Sequence, residues 1–300
     1  MATFLVSGLA NTETSVRVRG FPVPYYPVDY PFFGVETGIS GVGVNVAKSL
    51  SALGNGVTLC SLVGDDAGGR WVKAELERAG IGTEFVRGTE GETAASAVLH
   101  DGAGRRQIHC DLKDLQERTY DFGIAPVEEA DMVVACNINF SRPLLRRAIV
   151  LGKRVASDVH VLGNPDDAYN RDFMAAAEVL FLSDEGAGEN PRGLMEALAA
   201  RYGNRVIVMG RGGLGALMLH AGRFTEMPAW DAGRAENTVG AGDALFAAFL
   251  HHYARGMGVE EALDRAQLAA AMKIRRSGGG EGFPREAEWE AEWRAGRRQG

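Results

Sequence analysis

An aspartate stands where a glycine-rich turn runs into an apolar helix, in the stretch NTVGAGDALFAAFL at 237–250. Gly240, Ala241 and Gly242 leave their backbone N–H groups uncovered at a helix N-terminus, where the helix dipole favours an anion. Asp243 follows in the first turn. Amides that hold developing charge, beside a carboxylate that accepts a hydroxyl proton, are what phosphoryl transfer to an alcohol uses. The pattern predicts an anion hole and a general base; a carboxylate that only complements the helix dipole is the alternative.

Two further glycine-rich runs are candidate ligand loops. In GISGVGVNVAKSLSALG at 38–54, Gly41 and Gly43 would let the backbone approach a small polar ligand, and Asn45 would offer it a donor and an acceptor. Glycines that serve close helix packing are the alternative. The run GRGGLG at 210–215 matches a dinucleotide fingerprint, but strand-like residues follow it where that fingerprint needs a helix. A tight turn near a nucleotide, or a plain β-turn, is therefore predicted there.

NTVGAGD resembles the C-terminal signature of the ribokinase-like (PfkB) carbohydrate kinases, usually written DTxGAGD, and SGVGVNVAKSLSALG resembles their N-terminal signature. The stretch LVGDDAGG at 62–69 and the order of elements extend the similarity over most of the chain. The resemblance implies an α/β three-layer sandwich, with a mostly parallel central sheet flanked by helices and a small β-sheet lid.

The resemblance also implies an activity, which is ATP-dependent phosphorylation of a hydroxymethyl or other alcohol group of a sugar or nucleoside. ATP would be the donor and Mg²⁺ the phosphate-bound metal, and use of a monovalent cation stays open. A kinase for a vitamin-like hydroxymethyl heterocycle and a catalytically silent regulator that binds a metabolite are the alternatives.

Site residues are carried over from the family position by position. Asp243 would be the general base, and the anion hole would be Gly240, Ala241 and Gly242. The acceptor would meet Glu13, Gly41, Gly43 and Asn45. Lys113 is a candidate from its position just after the predicted lid hairpin, where it could reach the acceptor or the γ-phosphate; a solvated charge is the alternative. The nucleotide would meet Asp184, Gly210, Gly213, Gly215, Asn237 and Ser277. No metal ligand is assigned.

Three positions depart from the family pattern. Asn237 replaces the first Asp of the signature, which removes a charge close to the phosphates, and Glu13 is one methylene longer than the usual Asp. The N-x-x-E element of the family falls near LFLSDEGAGE, where Asp184 and Glu185 are present but the last position is Ala187. The first two departures predict an unusual acceptor, and the third leaves the metal arrangement open.

The elements that must position these residues alternate along the chain. Buried parallel strands are predicted from short apolar runs at 3–10, 57–64, 131–138, 154–159, 178–184 and 205–210. Helices are predicted at 44–54, 69–80, 142–152, 172–179 and 191–203. Alternation of this kind predicts βαβ units and a three-layer α/β sandwich.

A hairpin is predicted at 93–110, around a turn at 101–104, and with a strand at 15–20 it would form a small antiparallel sheet. The resemblance makes this sheet the lid, built from about 13–36 and 93–112. The whole chain, 1–300, is then one kinase domain.

The segment FPVPYYPVDYPFFG at 21–34 contains four prolines and six aromatic residues. Prolines at this density exclude a regular helix or a central strand. Aromatic rings bury large areas and offer flat faces to a sugar or base, so we expect the segment to help form the lid or a dimer contact.

Composition limits the function classes. The net charge of −7 argues against a nucleic-acid-binding surface, because phosphate contacts need clustered Lys and Arg. The three cysteines lie far apart and form no CxxC pair, which is typical of reduced thiols in a cytosolic protein. No apolar run approaches the roughly 20 residues of a membrane helix. We expect a cytoplasmic protein without membrane or nucleic-acid partners, and the resemblance implies a homodimer.

Overall fold

The computed structural model describes residues 1–233, 235–276 and 278–296. Its strands are β1 Thr3–Ser7, β2 Asn11–Arg17, β3 Val35–Ser40, β4 Gly56–Gly64, β5 Val86–Thr89, β6 Ala95–His100, β7 Arg106–Asp111, β8 Met132–Ala135, β9 Arg154–Val161, β10 Val179–Ser183, β11 Val206–Gly210, β12 Ala216–His220 and β13 Arg223–Met227. Its α-helices are α1 Val42–Ala52, α2 Ala67–Arg78, α3 Ala125–Glu129, α4 Arg142–Val150, α5 Arg171–Ala176, α6 Pro191–Tyr202, α7 Ala241–Ala254, α8 Val259–Ile274 and α9 Glu286–Gly296. Within these ranges, every helix is too short or too polar to span a bilayer.

The larger sheet has the strand order β13-β12-β11-β10-β9-β8-β1-β4-β5. Neighbours from β11 to β5 pair in parallel, and β12 and β13 extend one edge as an antiparallel hairpin. The parallel strands are apolar at successive positions because helices cover both faces; every residue of β8, for example, is buried. The predicted three-layer α/β sandwich is confirmed.

The two faces of the larger sheet pack against different helices. Side chains alternate between faces along a strand, so Phe4 and Leu5 of β1 belong to opposite cores. Helices α1, α2, α7, α8 and α9 supply the core that contains Phe4, and helices α3 to α6 supply the other. Helices α1 and α7 pack against each other on the same face, and their N-terminal turns meet where Asn45 contacts Asp243.

The smaller sheet, called the lid sheet below, has the order β3-β2-β6-β7. The hairpin β6–β7 is antiparallel as predicted, but β2 and β6 pair in parallel, so the expected antiparallel sheet is wrong at this pair. The physical reason is that β2 follows β1 and β6 follows β5. Both segments leave the same edge of parallel strands and therefore run in one direction. Strand β3, which pairs with β2, was not predicted.

The segment at 21–34 between β2 and β3 contains no regular helix or strand, as its prolines predict. Helices α8 and α9 go beyond the predicted elements. Helix α9 is anchored by Trp289 and Trp293, which are buried and stacked with ring centroids 5.7 Å apart. The aromatic rings thus attach a highly charged helix to the core.

Two adjacent histidines of α7 are buried. The Nδ1 atom of His251 lies 2.8 Å from Nδ2 of Asn55, and the ring of His252 lies 4.9 Å from that of Trp289. Within the described chain, Nε2 of His252 is buried without a hydrogen-bond partner. Burial lowers the pKa of each imidazole to about 3, so both rings are neutral in the folded protein at physiological pH.

We predict that the buried histidines make folding acid-sensitive. The folded pKa lies below the unfolded value of about 6.5, so the stabilisation is present above pH ~6.5 and is lost as pH falls towards 3. Between pH ~7.5 and ~5 each histidine should contribute a loss of about 2 kcal/mol of unfolding free energy. Urea unfolding at both pH values should show a smaller loss in His252→Phe and an unchanged loss in His109→Gln, on the exposed strand β7. Equal losses in His252→Phe and wild type would contradict this.

Candidate active site

Asp243 lies in the first turn of α7. The helix begins directly after Gly240, a glycine in the left-handed region with a φ of 79°. Its Oδ2 accepts a hydrogen bond of 2.7 Å from Nδ2 of Asn45 in the first turn of α1. Burial raises the pKa of Asp243 to about 6 and outweighs the Asn45 hydrogen bond, which lowers it. The carboxylate is therefore ionised at neutral pH but more basic than an exposed one.

Charged groups from two other elements face Asp243. His160 and Asp158, near the carboxyl end of β9, lower and raise its pKa respectively, and Lys273 of α8 lowers it. His160 has a φ of 56°, and its backbone N–H donates to Oδ1 of Asp158 at 2.8 Å. Non-glycine residues with positive φ are uncommon. Because Asp158 and His160 stand near the carboxyl end of β9, the site lies at the carboxyl edge of the parallel strands, where open α/β sheets bind ligands.

Gly41 and Gly43 are required by packing against the loop after β1. A Cβ on Gly43 would lie 2.5 Å from the carbonyl carbon of Gly8. A Cβ on Gly41, whose φ is 101°, would lie 2.5 Å from the carbonyl oxygen of Leu9. These approaches allow α1 to start close enough for Asn45 to reach Asp243, while direct contact of either glycine with a ligand stays a prediction.

Glu13 projects from β2 of the lid sheet towards the same place. Its pKa is raised by burial, against the opposing effects of hydrogen bonds from the Ser40 hydroxyl and the Gly279 N–H and of the nearby Lys273 charge. A Cβ on Gly279 would lie 2.3 Å from Oε1 of Glu13. The structure therefore brings Glu13 under the loop that follows α8, with Lys273 near both Glu13 and Asp243.

The glycines after α8 pack near Glu13 and α1. A Cβ on Gly240 would lie 2.5 Å from the carbonyl oxygen of Gly279, and one on Gly280 would lie 2.0 Å from that of Ile39. The predicted nucleotide contact at Ser277 lies outside the described residues. The neighbouring Gly279 packs against Glu13, a residue predicted to bind the acceptor.

Asn237 has a local role in shaping the turn before α7. Its side chain is buried, and its Oδ1 accepts the backbone N–H of Val239 at 2.9 Å. An Asp at this position could accept the same bond, so the departure from the family signature removes a charge and keeps the turn. The predicted contact of Asn237 with the nucleotide stays a prediction.

Two of the predicted nucleotide residues, Asp184 and Gly210, lie at the ends of neighbouring strands of the larger sheet. Gly210 ends β11, and Asp184 follows β10 in a single 3₁₀ turn. Strand β12, not a helix, follows the GRGGLG run, so the run is a strand-to-strand turn. Gly215 has a φ of 90°, and a Cβ there would lie 2.1 Å from the carbonyl oxygen of Met227. Packing alone explains Gly215, whereas Gly213 is exposed and unhindered.

Lys113 is not brought to Asp243 by any contact within the described chain. Its Nζ lies 2.7 Å from Oδ2 of Asp111 and 3.2 Å from Oε2 of Glu92, both on exposed side chains. Its ammonium therefore has partners at the surface end of the lid sheet, and its predicted contact with the acceptor stays a prediction.

The lid sheet touches the body of the protein on two sides of the site. The Thr238 hydroxyl, just before α7, donates to the carbonyl oxygen of Gly104 in the β6–β7 turn at 3.2 Å. Arg106 of β7 reaches Oε1 of Glu185 after β10 at 3.5 Å. The hairpin thus bridges the turn before α7 and the strand end where the nucleotide is predicted.

Lys273 is not among the residues predicted from the sequence. It lies in the last turn of α8, and its Nζ donates to the carbonyl oxygens of Val239 and Gly278. The available signal was a lysine within the apolar run LAAAMKI, at a position where helical periodicity predicts a buried side chain.

Comparisons with known proteins agree with the geometry. The model of the pfkB family of carbohydrate kinases matches residues 1–286. An ATP-dependent ribose-1-phosphate kinase from Halopiger xanaduensis is 29% identical over 293 residues, covering 93% of this chain and 94% of that protein. A nucleoside kinase from Burkholderia thailandensis, solved with inosine, has 18% identity and a TM-score of 0.82, covering 98% of each chain. A ribokinase from Arabidopsis thaliana, solved with ribose and ATP, has 20% identity and a TM-score of 0.78, covering 97% of this chain and 98% of that one.

Two glycine substitutions should separate packing from ligand access. Gly43→Ala places a Cβ 2.5 Å from the backbone of Gly8, so we expect a loss of about 1–3 kcal/mol of unfolding free energy. A Cβ on Gly242 meets no heavy atom of the described chain within 4 Å, so Gly242→Ala should keep its melting temperature. The methyl group would stand among the uncovered amides, and kcat should fall. A normal kcat in Gly242→Ala would show that these amides do not form an anion hole. An unchanged melting temperature in Gly43→Ala would contradict the packing argument.

Proposed function

The chain belongs to the pfkB family of carbohydrate kinases, ATP-dependent phosphotransferases that act on alcohol groups of sugars and nucleosides, and from this premise we propose how its residues perform the transfer. Asp243 takes the proton of the acceptor hydroxyl as that oxygen forms a bond to the γ-phosphorus of ATP. The bond from the γ-phosphorus to the bridging oxygen breaks, and ADP leaves. The observation that carries the proposal is a buried carboxylate at a helix N-terminus, held by Asn45 at 2.7 Å, beside glycine amides.

The environment of Asp243 supports its role as base. Burial raises its pKa to about 6, which brings it nearer to neutral pH and makes it a stronger proton acceptor than an exposed Asp. The Asn45 amide donates to Oδ2, which orients the carboxylate, and Oδ1 is the oxygen proposed to accept the hydroxyl proton. Proton transfer then depends on one oriented oxygen.

The amides of Gly240, Ala241 and Gly242 are proposed to stabilise the phosphoryl group during transfer. They stand at the N-terminus of α7, where backbone N–H groups and the helix dipole favour negative charge. A Cβ on Gly240 would clash with Gly279, so this turn needs glycine for packing as well as for access. Donors fixed before the reaction stabilise developing charge without reorganising.

Glu13 and Asn45 are proposed to bind the acceptor. A carboxylate can accept two hydroxyl hydrogen bonds from a sugar, and such charge-assisted bonds are strong. The position of Glu13 on the lid sheet, together with its contact with the loop after α8, supports a site between lid and body. Ribose-1-phosphate, ribose and inosine are the ligands or substrates named for the compared proteins, which supports a ribosyl acceptor here.

ATP is proposed to lie along the carboxyl ends of β10 and β11, with its γ-phosphate at the N-terminus of α7. In the part of the chain that the structure describes, no three His, Cys, Asp or Glu side chains converge to form a metal cage. Mg²⁺ that is bound mainly by phosphates and water needs only one or two protein carboxylates. Asp184 and Glu185 would supply them, and the metal would neutralise phosphate charge.

A homodimer is proposed from the aromatic segment at 21–34. Tyr25, Tyr30, Phe32 and Phe33 are exposed, and Phe33 is 100% exposed. Contiguous exposed apolar surface is typical of protein contacts, and a second copy of the lid sheet would cover it. Sedimentation equilibrium measures this stoichiometry, and a monomer at all concentrations would contradict the proposal.

An ATP-consumption screen over sugars, sugar phosphates, nucleosides and hydroxymethyl heterocycles tests the acceptor class. We expect turnover with a ribosyl compound, and Glu13→Gln should raise the KM of that acceptor while leaving the KM of ATP unchanged. Turnover confined to a heterocycle would favour the vitamin-kinase alternative, and binding without turnover would favour a silent regulator. An equal effect of Glu13→Gln on both KM values would show that Glu13 does not bind the acceptor specifically.

Asp243→Asn removes the base and keeps the size of the side chain. We predict that kcat falls by about 10²–10⁴-fold, the usual contribution of general-base catalysis, with little change in the Kd of ATP. In the wild type, kcat should fall as pH decreases through about 6, because the base must be unprotonated. A variant with a lowered melting temperature and a near-normal kcat would show that the carboxylate is structural.

A further inference from the structure

Lys273 is a fully buried lysine beside the proposed anion hole. Its exposure is 0%, and its Nζ donates to the carbonyl oxygen of Val239 at 3.0 Å and to that of Gly278 at 2.8 Å. Burying an ammonium without partners is strongly unfavourable, so a buried lysine requires compensating acceptors and charges. The phosphotransferase mechanism above assigns it no role.

The two carbonyl groups belong to the two loops that surround the site. Val239 directly precedes Gly240, and Gly278 directly precedes Gly279, which packs against Glu13 and Gly240. A Cβ on Gly240 would lie 3.2 Å from Cε of Lys273. The ammonium therefore joins two loops. One carries the amides of the proposed anion hole, and the other contacts Glu13, the carboxylate proposed to bind the acceptor.

The charges around Lys273 come from several elements. Burial lowers the pKa of Lys273 to about 8, while Asp243 of α7, Glu13 of β2 and Glu281 raise it and Arg276 lowers it. In return, Lys273 lowers the pKa of both Asp243 and Glu13.

Other titratable groups near Asp243 take part in the same electrostatic interactions. Asp158 and His160 of β9 face the carboxylate, and the thiol of Cys136 after β8 has its pKa raised by burial and by Asp243 and Asp158. Lys273 thus offsets carboxylates that come from separate elements.

A single positive charge held by backbone carbonyl oxygens is also the arrangement by which proteins bind K⁺. We propose that the Lys273 ammonium is a built-in monovalent cation that fixes the loop of the anion hole and keeps Asp243 and Glu13 ionised. The enzyme then needs no added monovalent cation, and the cation left open by the family resemblance does not fit on these two carbonyls. This inference rests on the proposed function, in which Asp243 is the base.

The first experiment uses the wild-type enzyme. Turnover is measured at constant ionic strength in the chloride salts of tetramethylammonium, Na⁺, K⁺ and NH₄⁺. Tetramethylammonium is too large for a site lined by close carbonyl groups, so it serves as the cation-free reference. We expect the same kcat in all four salts. Several-fold stimulation by K⁺ or NH₄⁺ would overturn the proposal.

The second experiment removes the charge. Lys273→Ala should lower kcat by about 10²-fold, the usual effect of disturbing one oxyanion-hole group. It should also move the acid limb of kcat above pH ~6, because a group that lowers the pKa of Asp243 has gone. NH₄⁺ or K⁺ should restore both values in part. Lys273→Met should show the same loss without rescue, because its side chain still fills the space.

Lys153→Ala is the matched control. Lys153 also donates to two backbone carbonyls, those of Glu128 and Ala130, but it lies at the amino end of β9, at the opposite end from Asp158. Its kcat and pH profile should equal those of the wild type in every salt.

The remaining outcomes are also decisive. An unchanged kcat in Lys273→Ala overturns the proposal, and so does a loss that no cation rescues and that leaves the acid limb in place. If neither Lys273 variant folds, the salt series on the wild type decides. A normal kcat in Asp243→Asn rejects the base itself, whereas a large loss there with no effect in Lys273→Ala rejects only the role of Lys273.

Discussion

The hydrogen bond between Asn45 and Asp243 joins the N-termini of α1 and α7 across 198 residues of sequence. Its formation requires α1 to start against the loop after β1, which in turn requires that Gly43 carry no side chain beside Gly8. The bond also lies in a buried place, where a charge-assisted hydrogen bond is strong and an unpaired carboxylate is unfavourable. The packing of two helices on one face of the sheet and the orientation of one carboxylate are therefore a single constraint.

Burial and charge pairing oppose each other throughout this site. Burial raises the pKa of Asp243 and Glu13 and lowers that of Lys273, so it favours the neutral form of all three. Their mutual attraction favours the charged forms. For Asp243 burial is the larger effect, but with a pKa of about 6 it is still ionised at neutral pH. The result is a carboxylate of raised basicity that stays available for proton transfer.

The lid sheet is attached to the body by polar contacts at its base. Asp66 caps α2 by accepting the N–H of Gly69, and it also accepts the hydroxyl and the N–H of Thr93, just before β6. At the other end, the lid hairpin meets the body through Thr238 and Arg106. This attachment is compatible with the proposed role of the sheet as a cover over the acceptor site, because a few exposed contacts at the tip can separate for exchange of substrate and product.

The sequence by itself determined the features that depend on residues close together along the chain. Periodicity predicted the strands and helices of the sandwich, and the run from Gly240 to Asp243 predicted an anion hole and a base, because a helix N-terminus is a local structure. Only the tertiary structure decided the parallel pairing of β2 with β6, the packing role of Gly215 and the place of the glycine loop beside Glu13. It also decided which groups the buried Lys273 meets: helical periodicity indicates that the side chain is buried, but not that its ammonium lies between the carbonyl groups of Val239 and Gly278. These features depend on distances between segments far apart in the chain, which are fixed only when the two cores pack on the sheet.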